Sequence, residues 1–185
     1  MSEESGEARQ PQLFMRQPDL GGLPAAPPLE PGYVLRAAVP ADYEQLAGLL
    51  SEAYGDPWDA QRVAGEFSPG NGVEATYVVA GPSGVVATAA ARRLPERYPE
   101  AGYVHYVGAR SSERGKRLGE VATRQVLAHF AAAGLDQAVL ETDDFRRPAI
   151  WTYLRLGFVP EPRVPGDFVR WSRVLSSLTA PRARS

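Results

Sequence analysis

The stretch Tyr103–Gly119, YVHYVGARSSERGKRLG, constrains this chain more than any other. An alternating apolar run ends in a short polar turn. The turn opens into a helix through Arg114, Gly115, Lys116, Arg117, Leu118 and Gly119. The first turn of a helix carries N–H groups with no acceptor inside the helix, and the macrodipole adds partial positive charge at the same end. A strand that runs into a glycine-bearing helix start therefore suits an anion, above all a phosphate.

Bulk properties narrow what such a loop serves. The chain has 185 residues, enough for one ordinary domain with a real core. Its net charge of −2 gives no global attraction to nucleic acid or an anionic membrane. The absence of cysteine removes disulfides, thiolate metal sites and a cysteine nucleophile together. Two histidines, His105 and His129, are too few for a His-rich metal site, so no metal is expected. No apolar run approaches the roughly 20 residues of a membrane span. The first ten residues, MSEESGEARQ, lack the apolar core of a secretion signal. A soluble, cytoplasmic protein is expected.

Residues 1–32 read as a flexible, proline-rich extension, with Leu13, Phe14 and Met15 the residues in it able to dock. A folded domain is expected over 33–175 and a short basic tail over 176–185. Within the domain, Tyr33–Ala38 reads as a strand, and a helix follows Pro40 with Leu46, Leu49, Leu50 and Ala53 at helical spacing. Gly55-Asp56-Pro57 ends it, and Trp58–Phe67 reads as a second short helix. Val73–Ala80 and Val85–Arg92 flank a Gly-Pro-Ser-Gly turn and form a hairpin. Tyr103–Ala109 is the fourth strand. Lys116–Ala133 is the clearest helix, stopped by Gly134. Gln137–Thr142 is the fifth strand, and Arg147–Leu156 a helix with Pro148 near its start. Strands are expected from Phe158-Val159 and over Phe168–Leu175. The order β-α-α-β-β-β-α-β-α-β-β implies an α/β (α+β) fold, a mixed, largely antiparallel sheet flanked by helices.

This order, with the phosphate loop after the fourth strand, resembles the GNAT superfamily of acyl-CoA-dependent N-acyltransferases. Two motifs carry the resemblance. The acyl-CoA loop, Arg/Gln-x-x-Gly-x-Gly/Ala, is matched by Arg114 to Gly119, with Arg117 in place of the middle glycine. The pattern Ala-x-x-x-Tyr-x-x-x-Gly-Phe is matched in full by Ala149, Tyr153, Gly157 and Phe158, while the Asn often found seven residues before the Tyr is Arg146 here. Residues 142–150 also look like a variant seen in some bacterial members.

The resemblance implies an N-acetyltransferase that moves an acetyl group from acetyl-CoA, a co-substrate, to an amine of a small molecule or peptide. Attack would be direct, in a ternary complex. It implies that backbone N–H groups of Arg114, Gly115, Lys116, Arg117, Leu118 and Gly119 grip the pyrophosphate. Val107 and Ala109 would pair with the pantetheine arm where the fourth and fifth strands splay, and Thr142 and Ile150 are carried over as further cofactor contacts. Tyr153 would donate to the departing thiolate. Glu100 and His105 are the candidates for the base, and His129 reads as structural. Acceptor specificity would come from the Tyr54–Phe67 region and the Val159–Asp167 loop, with Trp58, Phe67 and Trp151 as walls and Asp56, Asp143 and Asp144 as attractors for a cationic amine. A homodimer is a possible assembly. The alternative is a catalytically silent acyl-CoA-binding or partner-binding module of the same fold. A phosphate-loop nucleotide site fits less well, because the Gly-Lys-Ser/Thr ending and the full Gly-x-Gly-x-x-Gly are both missing.

Overall fold

The structure is a computed structural model and describes residues 10–179. Its elements, in chain order, are β1 (Leu13–Gln17), β2 (Val34–Ala37), α1 (Tyr43–Tyr54), α2 (Ala60–Glu66), β3 (Val73–Gly81), β4 (Gly84–Arg92), β5 (Ala101–Ala109), α3 (Leu118–Ala132), β6 (Gln137–Thr142), α4 (Arg147–Arg155), β7 (Val159–Pro160) and α5 (Asp167–Thr179). The seven strands form one sheet in the order β2-β3-β4-β5-β6-β1-β7. Every pairing is antiparallel except that of β5 with β6. The expected mixed sheet, hairpin and Tyr153-bearing helix are all present.

Local chemistry sets the element ends. Gly55 takes a left-handed φ of 79° and donates to the Ser51 carbonyl, which stops α1. The Asp59 side chain accepts from Arg62 N at 2.7 Å and starts α2. On one face of the sheet, Leu46, Leu49 and Leu50 of α1 and Val63 of α2 pack on Val78, Val85 and Ala90. On the other face, Leu118, Val121, Ala122, Val126 and Phe130 of α3 pack with Ile150 and Tyr153 of α4 and Trp171 and Val174 of α5.

Two expectations are overturned. Residues 13–17, read as part of a flexible extension, form a strand between β6 and β7, and Leu13, Phe14 and Met15 are at most 1% exposed. Leu13 and Met15 join the core under α3 and α4, whereas Phe14 packs on the opposite face with Tyr98, Tyr103 and Val139. A strand covered on both faces needs no polar alternation, so Leu-Phe-Met reads as a short apolar run rather than as a strand. Residues 1–9 lie outside the described residues. The second correction concerns 168–175, expected as a strand and observed within α5. Buried Trp171 and Val174, with Leu178 packed beside them, recur at intervals of three and four, the helical spacing. Asp167 anchors the start of α5 by accepting from the N–H groups of Arg163 and Val164. The basic tail expected from 176 therefore begins inside a helix, and residues 180–185 lie outside the described residues.

β1 also supports α4 directly. Gln17 Nε2 donates to the Leu156 carbonyl at 2.8 Å, at the C-terminal end of that helix. Gly157 follows with φ 86°, a conformation that favours glycine, and a Cβ there would lie 2.5 Å from Gln17 Nε2. Phe158 N then donates to the Tyr153 carbonyl and its ring packs on Tyr153, 5.9 Å between centroids. The Tyr-x-x-x-Gly-Phe spacing is thus a helix terminus that locks the tyrosine in place.

Candidate active site

β5 and β6 pair only from Ala101↔Gln137 to Tyr103↔Val139, and beyond this they diverge. The cause lies on β5. Between Thr88↔Gly108 and Ala90↔His105, Tyr106 and Val107 together oppose the single residue Ala89. This is a β-bulge, which bends the strand that carries it. Tyr106 has φ 43°, unusual for a non-glycine residue. Packing holds it there. Its ring stacks on Phe67 at 5.2 Å, meets Trp58 edge-on at 4.9 Å and Tyr54 at 5.7 Å, and its hydroxyl donates to Glu66 at 3.3 Å. Gly108 lets α1 come close, since a Cβ there would lie 2.8 Å from Leu49. Tyr54 at the end of α1 then reaches β5 and donates to the Val107 carbonyl at 3.0 Å.

The phosphate loop leaves β5 at Ala109. Glu52 of α1 fixes its start, accepting from Ser111 N at 2.7 Å and Arg110 Nη1 at 3.1 Å. Those bonds, Ser111 first, hold the Glu52 carboxyl down at about 2. Gly115 has φ 89°, and a Cβ there would meet nothing within 4 Å, so open space lies in front of the loop. The first helical bond of α3 is Val121 N to Arg117 O, and no side chain caps the helix. The N–H groups of Leu118, Gly119 and Glu120 precede that bond and point forward without an intrahelical acceptor.

Arg117 sits at φ 58°, where glycine has no steric penalty and an arginine loses about 1–2 kcal/mol. Its side chain pairs with Glu120 instead of extending forward. Lys116 is also engaged, to Glu113 at 2.7 Å and the Tyr33 hydroxyl at 2.5 Å. Arg114 is exposed and has no ion pair among the described residues, so it is the loop cation left for a ligand.

Tyr153 stands on α4 and is 6% exposed. Among the described residues its hydroxyl has no hydrogen-bond partner, and it is not one of the sealed, partnerless polar atoms, which are Thr142 Oγ1 and Trp171 Nε1. Burial raises the Tyr153 phenol well above its ordinary value, Arg146 opposes the rise and Tyr103 adds to it. Burial likewise raises Tyr54, with Tyr153 next in effect. Tyr54, Tyr103, Arg146 and Tyr153 are therefore neighbours at one site. The Arg146 guanidinium lies 4.2 Å from the Tyr54 ring centroid and pairs with Asp143 at 3.4 Å. The sequence marked Arg146 only as a departure at the Asn position and Tyr54 only as the start of the specificity region, because no spacing links α1 to the α4 start.

The other sequence candidates fall differently. Val107 and Ala109 line the diverging stretch of β5. Thr142 and Ile150 are 2% and 0% exposed and belong to the buried interior rather than the surface of the gap. Glu100 is exposed just before β5, at the end where β5 and β6 are still paired. Seven residues of strand, roughly 20 Å, separate it from Val107. Asp144 is clamped by Arg170 at 2.8 and 2.9 Å, and Asp56 by Arg62 at 2.7 Å, so neither is free to attract an amine. Glu141, unmarked in the sequence, accepts from Tyr98, Tyr103 and Arg97 beside the point of divergence. Trp58 and Phe67 pack on Tyr106, Trp151 is 47% exposed on α4, and His129 bonds Tyr77 and Glu74 away from the gap.

His105 packs between the rings of Tyr103 and Tyr106, with Arg92 Nη1 3.4 Å from its Nε2. Burial first, and Arg92 second, depress its pKa to about 3. The imidazole is neutral near pH 7 and too weak a base to hold an amine's proton. The unfolded chain, with an ordinary value of about 6.5, binds the extra proton first, so stability falls as pH drops from about 6.5 towards 3. His105→Gln should flatten that loss between about pH 6.5 and 5 in urea midpoints. An unchanged slope would contradict the assignment.

The model of the acetyltransferase (GNAT) family matches residues 43–158. A mycothiol acetyltransferase of Actinosynnema mirum is 29% identical over 160 residues, 83% of this chain and 53% of that protein. One of Streptomyces scabiei is 42% identical over 60 residues, 32% of this chain and 20% of that protein. The chain thus spans about half the length, or less, of these curated relatives. Among solved structures, a GNAT-family protein of Novosphingobium aromaticivorans superimposes with a TM-score of 0.61 at 26% identity, covering 82% of this chain and 60% of that one. A GCN5-related N-acetyltransferase of Kribbella flavida, at 24% identity and TM-score 0.59 over 82% of this chain and 55% of that one, shares the fold. With its family model spanning both the phosphate loop and the Tyr153 helix, the chain belongs to the GNAT acetyltransferase family.

Proposed function

We propose that the chain transfers an acetyl group from acetyl-CoA to an amine. The observation that supports this reading is the divergence of β5 from β6, with the uncapped N–H row of α3 after β5 and Tyr153 beside Tyr54, which itself bonds the Val107 carbonyl. The residues fit an acyl-CoA. The N–H groups of Leu118, Gly119 and Glu120, with Arg114, would hold the pyrophosphate, and the diverging backbone of Val107 and Ala109 would hold the arm. Acetyl-CoA supplies the thioester that makes the acetyl group transferable.

Tyr153 holds its proton across the neutral range, since its phenol is raised above the usual value of about 10. A thiolate of ordinary thiol basicity, about 8.5, does not remove that proton outright. Tyr153 therefore gives the leaving sulfur a hydrogen bond, and the proton lost by the amine completes the thiol. A second reading, a silent acyl-CoA-binding module, draws on the state of the two base candidates. His105 is depressed to about 3, and Glu100 lies at the wrong end of β5.

A thiol-release assay on an amine panel separates the two. The panel begins with small-molecule amines related to mycothiol, after the name of the two relatives, mycothiol acetyltransferase. Amine-dependent release supports the enzyme, whereas acetyl-CoA binding without release for any amine supports the module. Arg114→Glu reverses the unpaired loop cation without breaking a recorded ion pair. It should weaken CoA binding at least about tenfold at low salt and less at high salt, with unchanged thermal stability. Equal affinity by calorimetry would remove Arg114 from the site.

A further inference from the structure

We infer that Glu120 is a positioning residue that fastens the phosphate loop to the helix bearing Tyr153. The inference rests on the acyl-CoA reading above. Glu120 lies in the first turn of α3 and is 4% exposed. A carboxylate there competes with a phosphate for the same N–H groups and the same end of the dipole. In this chain its charge is directed elsewhere. Arg117 donates to it through Nε at 3.0 Å and also through Nη2. Arg155 donates through Nε at 2.9 Å and Nη2 at 2.6 Å. Two guanidiniums on one carboxylate leave one net positive charge beside the loop and keep the N–H row clear.

The two arginines come from the two halves of the site. Arg117 is the left-handed residue at which the loop turns into α3. Arg155 follows Tyr153 by two residues on α4. Glu120 and Arg155 are 35 positions apart in sequence, and among the described residues the side-chain hydrogen bonds that join α3 to α4 both run between them. Glu120 thereby sets where Tyr153 stands relative to the pyrophosphate cradle. Without the carboxylate, Arg117 and Arg155 would repel each other, turning the join into a strut that pushes the helices apart. Glu120 acts on substrate only through these partners.

The test is CoA titration by calorimetry on the full chain, with kcat measured at saturating acetyl-CoA, for four proteins: unmodified, Glu120→Gln, Arg155→Met and the double variant. Arg155 is exposed, so Arg155→Met keeps the fold even if the change at buried Glu120 does not. Each single variant is expected to raise the CoA Kd about tenfold and to lower kcat. The double variant is expected to match the singles instead of multiplying them, because one join is lost in all three. Glu120→Asp, too short to reach both arginines, should restore part of the affinity. A hundredfold loss in the double, or an Arg155→Met variant with unmodified Kd and kcat, overturns the inference. A lowered melting temperature with Kd and kcat retained also overturns it, since that is the mark of a purely structural pair. No CoA binding by the unmodified chain overturns the acyl-CoA reading itself.

Discussion

Tyr153→Phe is expected to lower kcat for acetyl transfer by about a hundredfold or more while leaving the KM for acetyl-CoA within about twofold. The expectation follows from where the hydroxyl stands. The ring is buried against Phe158 and the α3–α4 core, and Phe fills the same space. The hydroxyl has no partner to lose among the described residues, so its removal should not weaken the fold. What disappears is the phenolic donor proposed to face the leaving sulfur, a contact of value only when charge builds there. A kcat unchanged in Tyr153→Phe would give Tyr153 a packing role and pass leaving-group stabilisation to another donor. A KM that rises as steeply as kcat falls would mean that the hydroxyl binds ground state and transition state alike.

A chain that begins at Tyr33 is expected to lose its cooperative unfolding transition altogether. Such a chain lacks β1, which lies inside the sheet with β6 on one side and β7 on the other. Leu13, Phe14 and Met15 are each at most 1% exposed, and cutting a single such residue to alanine typically costs about 2–5 kcal/mol. Three together rival the whole stability of an ordinary domain, about 5–15 kcal/mol. The truncated chain also loses Gln17, whose amide ends α4, and so unsettles Tyr153. Phe14→Ala in the intact chain is the milder version and should cost about 3–5 kcal/mol in chemical denaturation. A Tyr33-start chain that melts cooperatively near the melting temperature of the intact protein would show that β1 is dispensable.

Much of this architecture was legible where a local signal agrees with its tertiary role. The β6 range, Gln137–Thr142, was read in full, and β3, β4, α3 and α4 came within two residues at each end. Their patterns, turns and caps all point one way. β1 was hidden because burial on both faces removes the alternation that marks a strand, and prolines nearby suggest an extension. Residues 168–175 were read as a strand; Phe168, Val169, Trp171 and Val174 favour sheet by type, but buried Trp171 and Val174 with Leu178 recur at helical spacing, and packing decided.

The site divides in the same way. The start of α3 and the end of α4 were legible because each is a local geometry: a glycine-bearing helix start, and a helix end closed by Gly157 and Phe158. Glu100 stands at the paired end of β5; a strand has two ends, and sequence does not say at which of them its neighbour diverges. The divergence depends on a bulge at Tyr106 that Phe67, Trp58 and Tyr54 hold in place from a different layer. Arg117 is the subtler case. The sequence shows that glycine is missing, but not that its guanidinium turns to Glu120 while its backbone keeps the left-handed turn.

The most direct test of the central claim is a map of backbone amide shifts as CoA is added to the labelled, intact chain. The account predicts that the largest changes fall on Gly115, Leu118, Gly119 and Glu120, with a second group at Val107 to Ala109. Changes confined to another depression, such as the groove of about 620 Å³ lined by Phe145, Val169 and Arg173, would contradict it, as would the absence of any change.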